Sequence, residues 1–323
     1  MPSTVFENLK EKPLMSLLGL CILVLLFLMP RIIHRFWIGV LTEILILGLA
    51  GMSVNLLLGY GGSLPFGHAA FYAAGAYATA ILLKRTAMPT VLIMLIAPLV
   101  AAALGALFGL LIARLYRFYY ALMTTGFSML LWVIIRKLPA LTGGDDGITG
   151  LILPGFVTGI NNAYFFTLFV VLVCIFILWL IINSPFGWTL RAIRENSNRT
   201  AFICIDVIRH RYLAFIISSF FAGVAGALFV IYSHSTFPDY AYWVKSGDMA
   251  MVCLLGGMFS FLGPMVGAAI LIFLQTWITS ITPYWPLVIG IIICLVVLLM
   301  PDGVLGIWRK LEPYMVKGSK GSV

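Results

Sequence analysis

The sequence predicts an all-α membrane protein, and three observations carry that prediction. Of 323 residues, 62% are apolar and only 10% charged, whereas a soluble domain carries roughly 25% charged residues to cover its water-facing surface. The apolar residues come in continuous runs long enough for helices that cross a bilayer, near 20 residues each, rather than the alternating ~10-residue strands of an outer-membrane barrel. The Lys and Arg residues fall between those runs. Cutting at charges, Pro and Gly gives ten segments: 14–30, 37–58, 65–83, 90–113, 118–135, 163–182, 212–232, 248–262, 265–281 and 285–300. Gly and Pro interrupt the third, eighth and ninth, so eight to ten crossings are expected, with broken or re-entrant segments among them.

Each end of the chain follows from the same reasoning. Residues 1–30 have the basic and apolar parts of a signal peptide but end in Pro30-Arg31 rather than a small-residue cleavage site, which reads as a retained first helix. With both termini cytoplasmic, the inner loops hold 13 Lys and Arg and the outer loops 7, the asymmetry expected of inward-facing loops. The whole chain then forms one transmembrane domain, with a cytoplasmic loop at 184–211 and a cytoplasmic tail at 301–323. The +9 net charge belongs to those loops, so no nucleic-acid surface is expected and the surrounding partner is lipid. The five cysteines are widely spaced, without a CxxC or Cys/His cluster, so neither disulfide framework nor metal site is expected.

Several stretches depart from plain helix. Asn55-Leu-Leu-Leu-Gly-Tyr-Gly-Gly-Ser-Leu-Pro-Phe-Gly-His68 joins two apolar runs with four Gly and one Pro but no acid, Lys or Arg. Such backbone at membrane depth is tolerated only where protein buries it or where it lines a cavity, which makes Asn55, Gly59, Gly62, Ser63, Gly67 and His68 candidates for a pathway or gate. Tyr72 follows, within the Ala70, Ala74, Ala78 stripe that lets helices approach closely. A second interrupted stretch runs from Leu255 to Gly267, and broken segments in two halves point to an inverted repeat. Glu43 lies about a turn and a half inside the second helix, where an ionisable residue is a functional candidate or one that snorkels towards the outer interface near Arg35 or Trp37. Thr124, Thr125 and Ser128 place hydroxyls on the fifth helix, either lining a polar path or bonding the preceding turn. His68 and His234 have no ligand-spaced companions, and structural histidines are the simpler reading.

Two polar loops complete the set. Between Ser184 and Asp206, turn residues lead into a short amphipathic helix whose apolar Leu190, Ile193 and Ala201 alternate with Arg191, Arg194, Glu195 and Arg199; such a helix can dock into a groove on a partner. On the outer side, Thr142-Gly-Gly-Asp-Asp-Gly147 sets Asp145 and Asp146 among glycines, which permit positive φ and a turn that presents the acids to a partner. No GxxxxGK[ST] phosphate loop occurs, so catalysis and nucleotide binding are not expected of this chain.

Residues 55–77, Asn-Leu-Leu-Leu-Gly-Tyr-Gly-Gly-Ser-Leu-Pro-Phe-Gly-His-Ala-Ala-Phe-Tyr-Ala-Ala-Gly-Ala-Tyr, resemble the signature of LivM-type permeases of branched-chain amino acid ABC importers. Thr142–Gly147, Ser184–Gly187 running into Arg191–Asn196, Ala222–Gly226, Leu255–Gly257 with Gly263-Pro264, and Pro301–Gly306 match further motifs in the same order, so the resemblance covers about residues 40–310. It implies a type II importer fold similar to the vitamin B12 permease. The implied partners are a second, LivH-like permease, two ATPase subunits (LivG-like and LivF-like) that carry ATP and Mg2+, and a periplasmic binding protein, all at the bacterial inner membrane. Arg191–Asp206 would be the coupling helix, with Gly187, Arg191, Arg194, Glu195, Asn196, Ala201, Cys204 and Asp206 meeting the ATPases. Thr142, Gly143, Gly144, Asp145, Asp146 and Gly147 would form the periplasmic docking loop. The chain departs from the family at Ile203-Cys204-Ile205, where Leu-Gly-Ile is usual, and at Ser63-Leu-Pro-Phe-Gly67, where Gln-Leu-Ser-Leu-Gly is usual. Urea, short amides or aromatic carboxylates are the alternative cargo on the same architecture. An ion-coupled secondary carrier or channel, with Glu43 as its protonatable group, is the alternative of another class.

Overall fold

The computed structural model describes residues 24–31, 33–86, 88–151, 153, 157, 159–299 and 303–306. The expected first crossing, 14–30, lies largely outside these residues, although 24–31 are helical, and the tail from 307 onward lies outside them altogether. Ten longer helices are described: α1 Arg35–Asn55, α2 Ala69–Arg85, α3 Thr90–Ile112, α4 Arg117–Lys137, α5 Ile160–Asn183, α6 Pro185–Phe202, α7 Val207–Ser233, α8 Trp243–Gly256, α9 Gly263–Thr279 and α10 Trp285–Leu299. Among the described residues, five spans are long and apolar enough to cross a membrane: Arg35–Tyr60, Thr90–Ile112, Phe118–Lys137, Ile160–Asn183 and Val207–Ser233. Gly263–Thr279 and Trp285–Val296 are shorter apolar helices.

Helix α7 is the centre of the bundle, packing on α3, α2 and α1. It can do so because its middle is Ala222-Gly-Val-Ala-Gly226, where missing side chains let backbones meet. A Cβ on Gly226 would fall 1.9 Å from the Tyr72 carbonyl of α2, and one on Gly75 of α2 would fall 2.2 Å from the Gly223 carbonyl. Ala70 and Ala74 of the expected alanine stripe are buried and Ala78 is half-buried, yet the backbone approach on α2 runs through Tyr72 and Gly75. On the opposite side α3 brings Ala101 and Pro98 against Gly223, and Gly105 against Ser219.

The contacts repeat with a two-fold pattern. Helix α7 packs on α2 and α3 of the first half, and α1 packs on α8 and α9 of the second. The halves α1–α4 and α7–α10 thus exchange their first helices. The glycine breaks themselves do not correspond: the first lies between the first and second helices of its half, the second between the second and third of its own.

Helix α7 starts beside α6 and ends at Ser233, next to the loop containing Ile148, whose N–H and carbonyl both bond Thr236 at 2.9 and 2.8 Å. The polar loops at 142–147 and 184–206 thus sit at opposite ends of the bundle. The outer faces of α3, α4, α5 and α10 expose large apolar side chains such as Leu95, Tyr119, Phe169 and Leu298, which suits contact with lipid.

Close approach at Gly226 sets a clear expectation. Gly226→Ala forces α2 from α7 and costs about 1–3 kcal/mol, as overpacking a full interior does, read as a lower Tm in detergent. Gly126→Ala, on the open face of α4 with no heavy atom within 4 Å of the added Cβ, leaves Tm unchanged or slightly raised, because Ala favours helix over Gly.

Candidate functional site

The first break opens where α1 widens into a π turn, Leu56–Tyr60. The Ser63 N–H then reaches back to the Leu57 carbonyl at 2.9 Å and the Gly62 N–H to Leu58 at 3.2 Å. The chain next runs without regular structure to His68 before α2 begins. Protein satisfies this stretch. The Phe66 N–H donates to Thr124 Oγ1 at 3.2 Å, and the Ala69 N–H donates to Ser246 Oγ at 2.8 Å. Gly67 is pressed onto α4, since a Cβ there would lie 1.7 Å from the Thr124 carbonyl.

His68 is fully buried, its Nε2 2.9 Å from Ser218 Oγ, and Ser218 in turn donates to the Ser53 carbonyl. Its Nδ1 has no partner among the described residues, so the histidine reads as structural on one side only. Asn55 donates to the Ser260 carbonyl at 3.4 Å, while its Oδ1 is left without a partner. That contact joins the first break to the second. Gly59 adds another, because a Cβ there would sit 2.1 Å from the Met258 carbonyl.

Of the hydroxyls expected along a path, Thr124 and Ser128 are buried, donating to the Ala121 and Ala241 carbonyls at 2.8 and 2.7 Å. Thr125 also donates back to Ala121, at 2.9 Å. Two of the three therefore fasten α4 to its neighbours, not face an open route. Tyr72 is likewise a core residue, packed edge-on to Tyr240; its ring is held in the aromatic cluster of α7 and the following turn. Glu43 is half-buried and shares a cavity of about 640 Å3 with Arg35, Phe36, Tyr232 and Gln275. The carboxylate is hydrogen-bonded to Tyr232, with the Lys245 charge nearby.

Helix α6 is longer than expected and is really two pieces. Asn196 takes extended geometry, φ −157° and ψ 101°, and caps the second piece by accepting the Arg199 N–H at 3.0 Å. Leu190 and Ile193 are buried as the amphipathic pattern requires, but beyond Asn196 the face turns, so that Thr200 is buried and Ala201 exposed. Asp206 caps α7, accepting the Arg209 N–H at 2.9 Å. Gly187 sits tight at the start of α6, where a Cβ would fall 2.1 Å from the Ile182 carbonyl. Glu195 and Arg199 are exposed, together with the large apolar side chains of Trp188 (60%), Phe202 (86%) and Ile203 (68%).

Arg191 and Arg194 do not join that exposed rim. The Arg191 guanidinium lies 4.5 Å from the Trp188 ring centroid and 5.1 Å from that of Tyr60. Arg194 donates to the Gly59 carbonyl and lies 5.0 Å over the Phe259 ring. Both line a cavity of about 670 Å3 with Gly59, Tyr60, Trp179, Asn183 and Phe259. Sequence periodicity placed these arginines on a charged face but had no means of showing that this face meets the chain's own breaks. Met258, Phe259, Ser218 and Ser246 were not singled out, because as isolated apolar residues and serines they carry no pattern.

At the far end, Gly143, Gly144 and Gly147 all have positive φ, from 63° to 80°, as the glycine-rich loop predicts. Thr142 ties the loop to α4 through the Ile135 carbonyl at 2.6 Å. Asp145 pairs with Arg136, whose hydrogen bond holds the carboxyl below its ordinary range. The pair therefore stays ionised at neutral pH, and its contribution is lost only as pH falls through that depressed value. Asp146 is exposed beside it. Among the described residues no three His, Cys, Asp or Glu side chains gather as a metal site.

A bundle of long apolar helices, a membrane-depth break wrapped in protein and an amphipathic helix at one end define a multi-pass membrane transport protein. The family described as branched-chain amino acid transport system, permease component, matches residues 36–298, and the chain belongs to it. The chain is similar to the high-affinity branched-chain amino acid transport system permease proteins LivM of Salmonella typhimurium and Escherichia coli. It is 26% identical to each over 350 aligned positions, covering 99% of this chain and 81% of theirs. A probable branched-chain amino acid transport permease protein LivM of Methanocaldococcus jannaschii is 29% identical over 147 positions, covering 44% of this chain and 42% of that one. No solved structure matches.

The family departure at Cys204 has a backbone consequence. Cys204 has φ 63°, the left-handed region that costs a non-Gly residue roughly 1–2 kcal/mol. Cys204→Gly therefore keeps or raises Tm, whereas the β-branched Cys204→Val lowers it by an amount of that order.

Proposed function

We propose that the chain is the membrane-spanning permease subunit of an ATP-binding-cassette importer that carries branched-chain amino acids inward. Membership of the permease family and the names of the LivM relatives support this reading. One structural observation carries it further. Helix α6 stands at one end of the bundle with Trp188, Phe202 and Ile203 exposed between the charges of Glu195 and Arg199, a surface suited to seating in a groove of an ATPase. Two ATPase subunits supply ATP and Mg2+, a second, LivH-like permease completes the membrane unit, and a periplasmic binding protein delivers the solute to the end carrying Asp145 and Asp146. Both termini and α6 are then cytoplasmic.

The route is governed at the inner end of α1. There Asn55, Gly59, Gly62 and Ser63 form the gate region, with Gly67 and His68 as its inner wall. Closure of the ATPases displaces α6, and the permease exposes its path to alternate sides. The protein's own contribution is a set of helices that hold a break and a docking surface, not catalysis.

Reconstitution tests the reading. Proteoliposomes containing both permeases, the ATPases and the binding protein should accumulate labelled leucine only with ATP, and unlabelled isoleucine or valine should compete better than urea or benzoate. Glu43→Gln should leave that uptake intact; dependence on an ion gradient, abolished by Glu43→Gln, would instead make the chain a secondary carrier. Phe202→Asp should remove the ATPases from the purified complex while leaving the permease folded, as judged by Tm.

A further inference from the structure

The π turn at the end of α1 leaves one backbone acceptor out of the helical ladder. In an unbroken helix the Gly59 carbonyl would accept from the Ser63 N–H, but that N–H reaches past it to Leu57. A carbonyl left without a donor is costly where protein shields it from water. The Arg194 guanidinium of α6 supplies the missing donor, and its plane also lies over Phe259 of the second break.

The fit around this side chain is close on the side of the first break. Gly62 has φ +68°, and a Cβ there would lie 2.7 Å from Arg194 Cγ and 3.2 Å from its Cα. Gly59 meets Met258, and Asn55 meets Ser260. Arg194 therefore stands where three separate pieces converge: α6, the first break and the second. Leu190 and Phe186 of α6 share an apolar cluster with Leu56, Leu57 and Phe261 of the two breaks, and Arg194 adds a directional hydrogen bond to the first break and a ring contact to the second. The cavity of about 670 Å3 beside it provides space into which the junction can move.

We infer that Arg194 is the positioning residue that ties the two glycine breaks to α6, so that displacement of this helix is passed to both breaks through one guanidinium. The inference rests on the reading of α6 as the ATPase-docking helix. On that reading the exposed ridge of α6 binds the ATPases, and its buried arginine hands their motion on. The two jobs fall on opposite faces and are separable by mutation.

The test uses the complete importer with its binding protein, measuring ATPase co-purification, basal ATP hydrolysis and leucine taken up per ATP hydrolysed. Arg194→Met removes the donor but keeps an unbranched side chain. The expected result is full co-purification and retained hydrolysis, with uptake per ATP lowered by roughly tenfold or more, the scale of one charge-assisted hydrogen bond. Arg194→Lys, which keeps a charged N–H donor, should recover most of the loss, and Gly62→Ala, which presses α6 off the break, should reproduce it with Arg194 in place. Unchanged uptake per ATP in Arg194→Met overturns the inference, and so does loss of the ATPases from that variant, because Arg194 would then hold the partner rather than the breaks. If Arg194→Met fails to fold, Gly62→Ala decides by the same ratio. Failure of the wild-type permease to retain ATPases at all would instead refute the docking reading, a separate outcome.

Discussion

Backbone that leaves the helical ladder inside a bilayer must find its hydrogen bonds in protein, because the hydrocarbon offers none. Between Leu56 and His68 this chain meets that requirement from four directions: its own preceding carbonyls, Thr124 of α4, Ser246 of α8 and Arg194 of α6. The helices that surround the break are therefore partners in its conformation. Moving any of them alters what the break can bond to.

Glycine makes the enclosure possible and sets its tolerances. Between lipid-solvated helices there is little hydrophobic gain from association, so close van der Waals approach has to hold the bundle. The crossing of α2 and α7 at Gly75, Gly223 and Gly226 holds the centre, and Gly256, Gly263 and Gly267 close the hairpin of α8 and α9 in the same way. Tight crossings in the middle and a cavity at Arg191 and Arg194 leave the α6 end freer to rearrange than the middle. That distribution suits a transport protein whose core must persist while one end shifts.

Much of the fold was legible in the sequence because its signals are local. Apolar runs bounded by charges and Pro gave segments such as 90–113 and 285–300, which agree closely with α3 Thr90–Ile112 and α10 Trp285–Leu299. The acid-free, glycine-rich stretch after Asn55 marked the break for the physical reason that holds it there. The site was less legible, since its partners come from distant positions with no pattern of their own. Ser246 is a lone serine and Met258 a lone methionine until α8 and the second break bring them to Ala69 and Gly59. Thr124 and Tyr72 were placed on the right helices, yet which way a side chain faces depends on what the helix packs against. Asn196 shows the same limit within one helix, where a single extended residue turns the face that periodicity projects through it.

The central claim is that the break is held by hydrogen bonds from the helices around it and joined to α6, and amide hydrogen exchange in the reconstituted permease measures this directly. The account predicts that the Ser63, Phe66 and Ala69 amides exchange as slowly as those of buried α7. Exchange at the rate of the surface loop around Thr149 would contradict it, because the break would then be open to water rather than held by the helices around it.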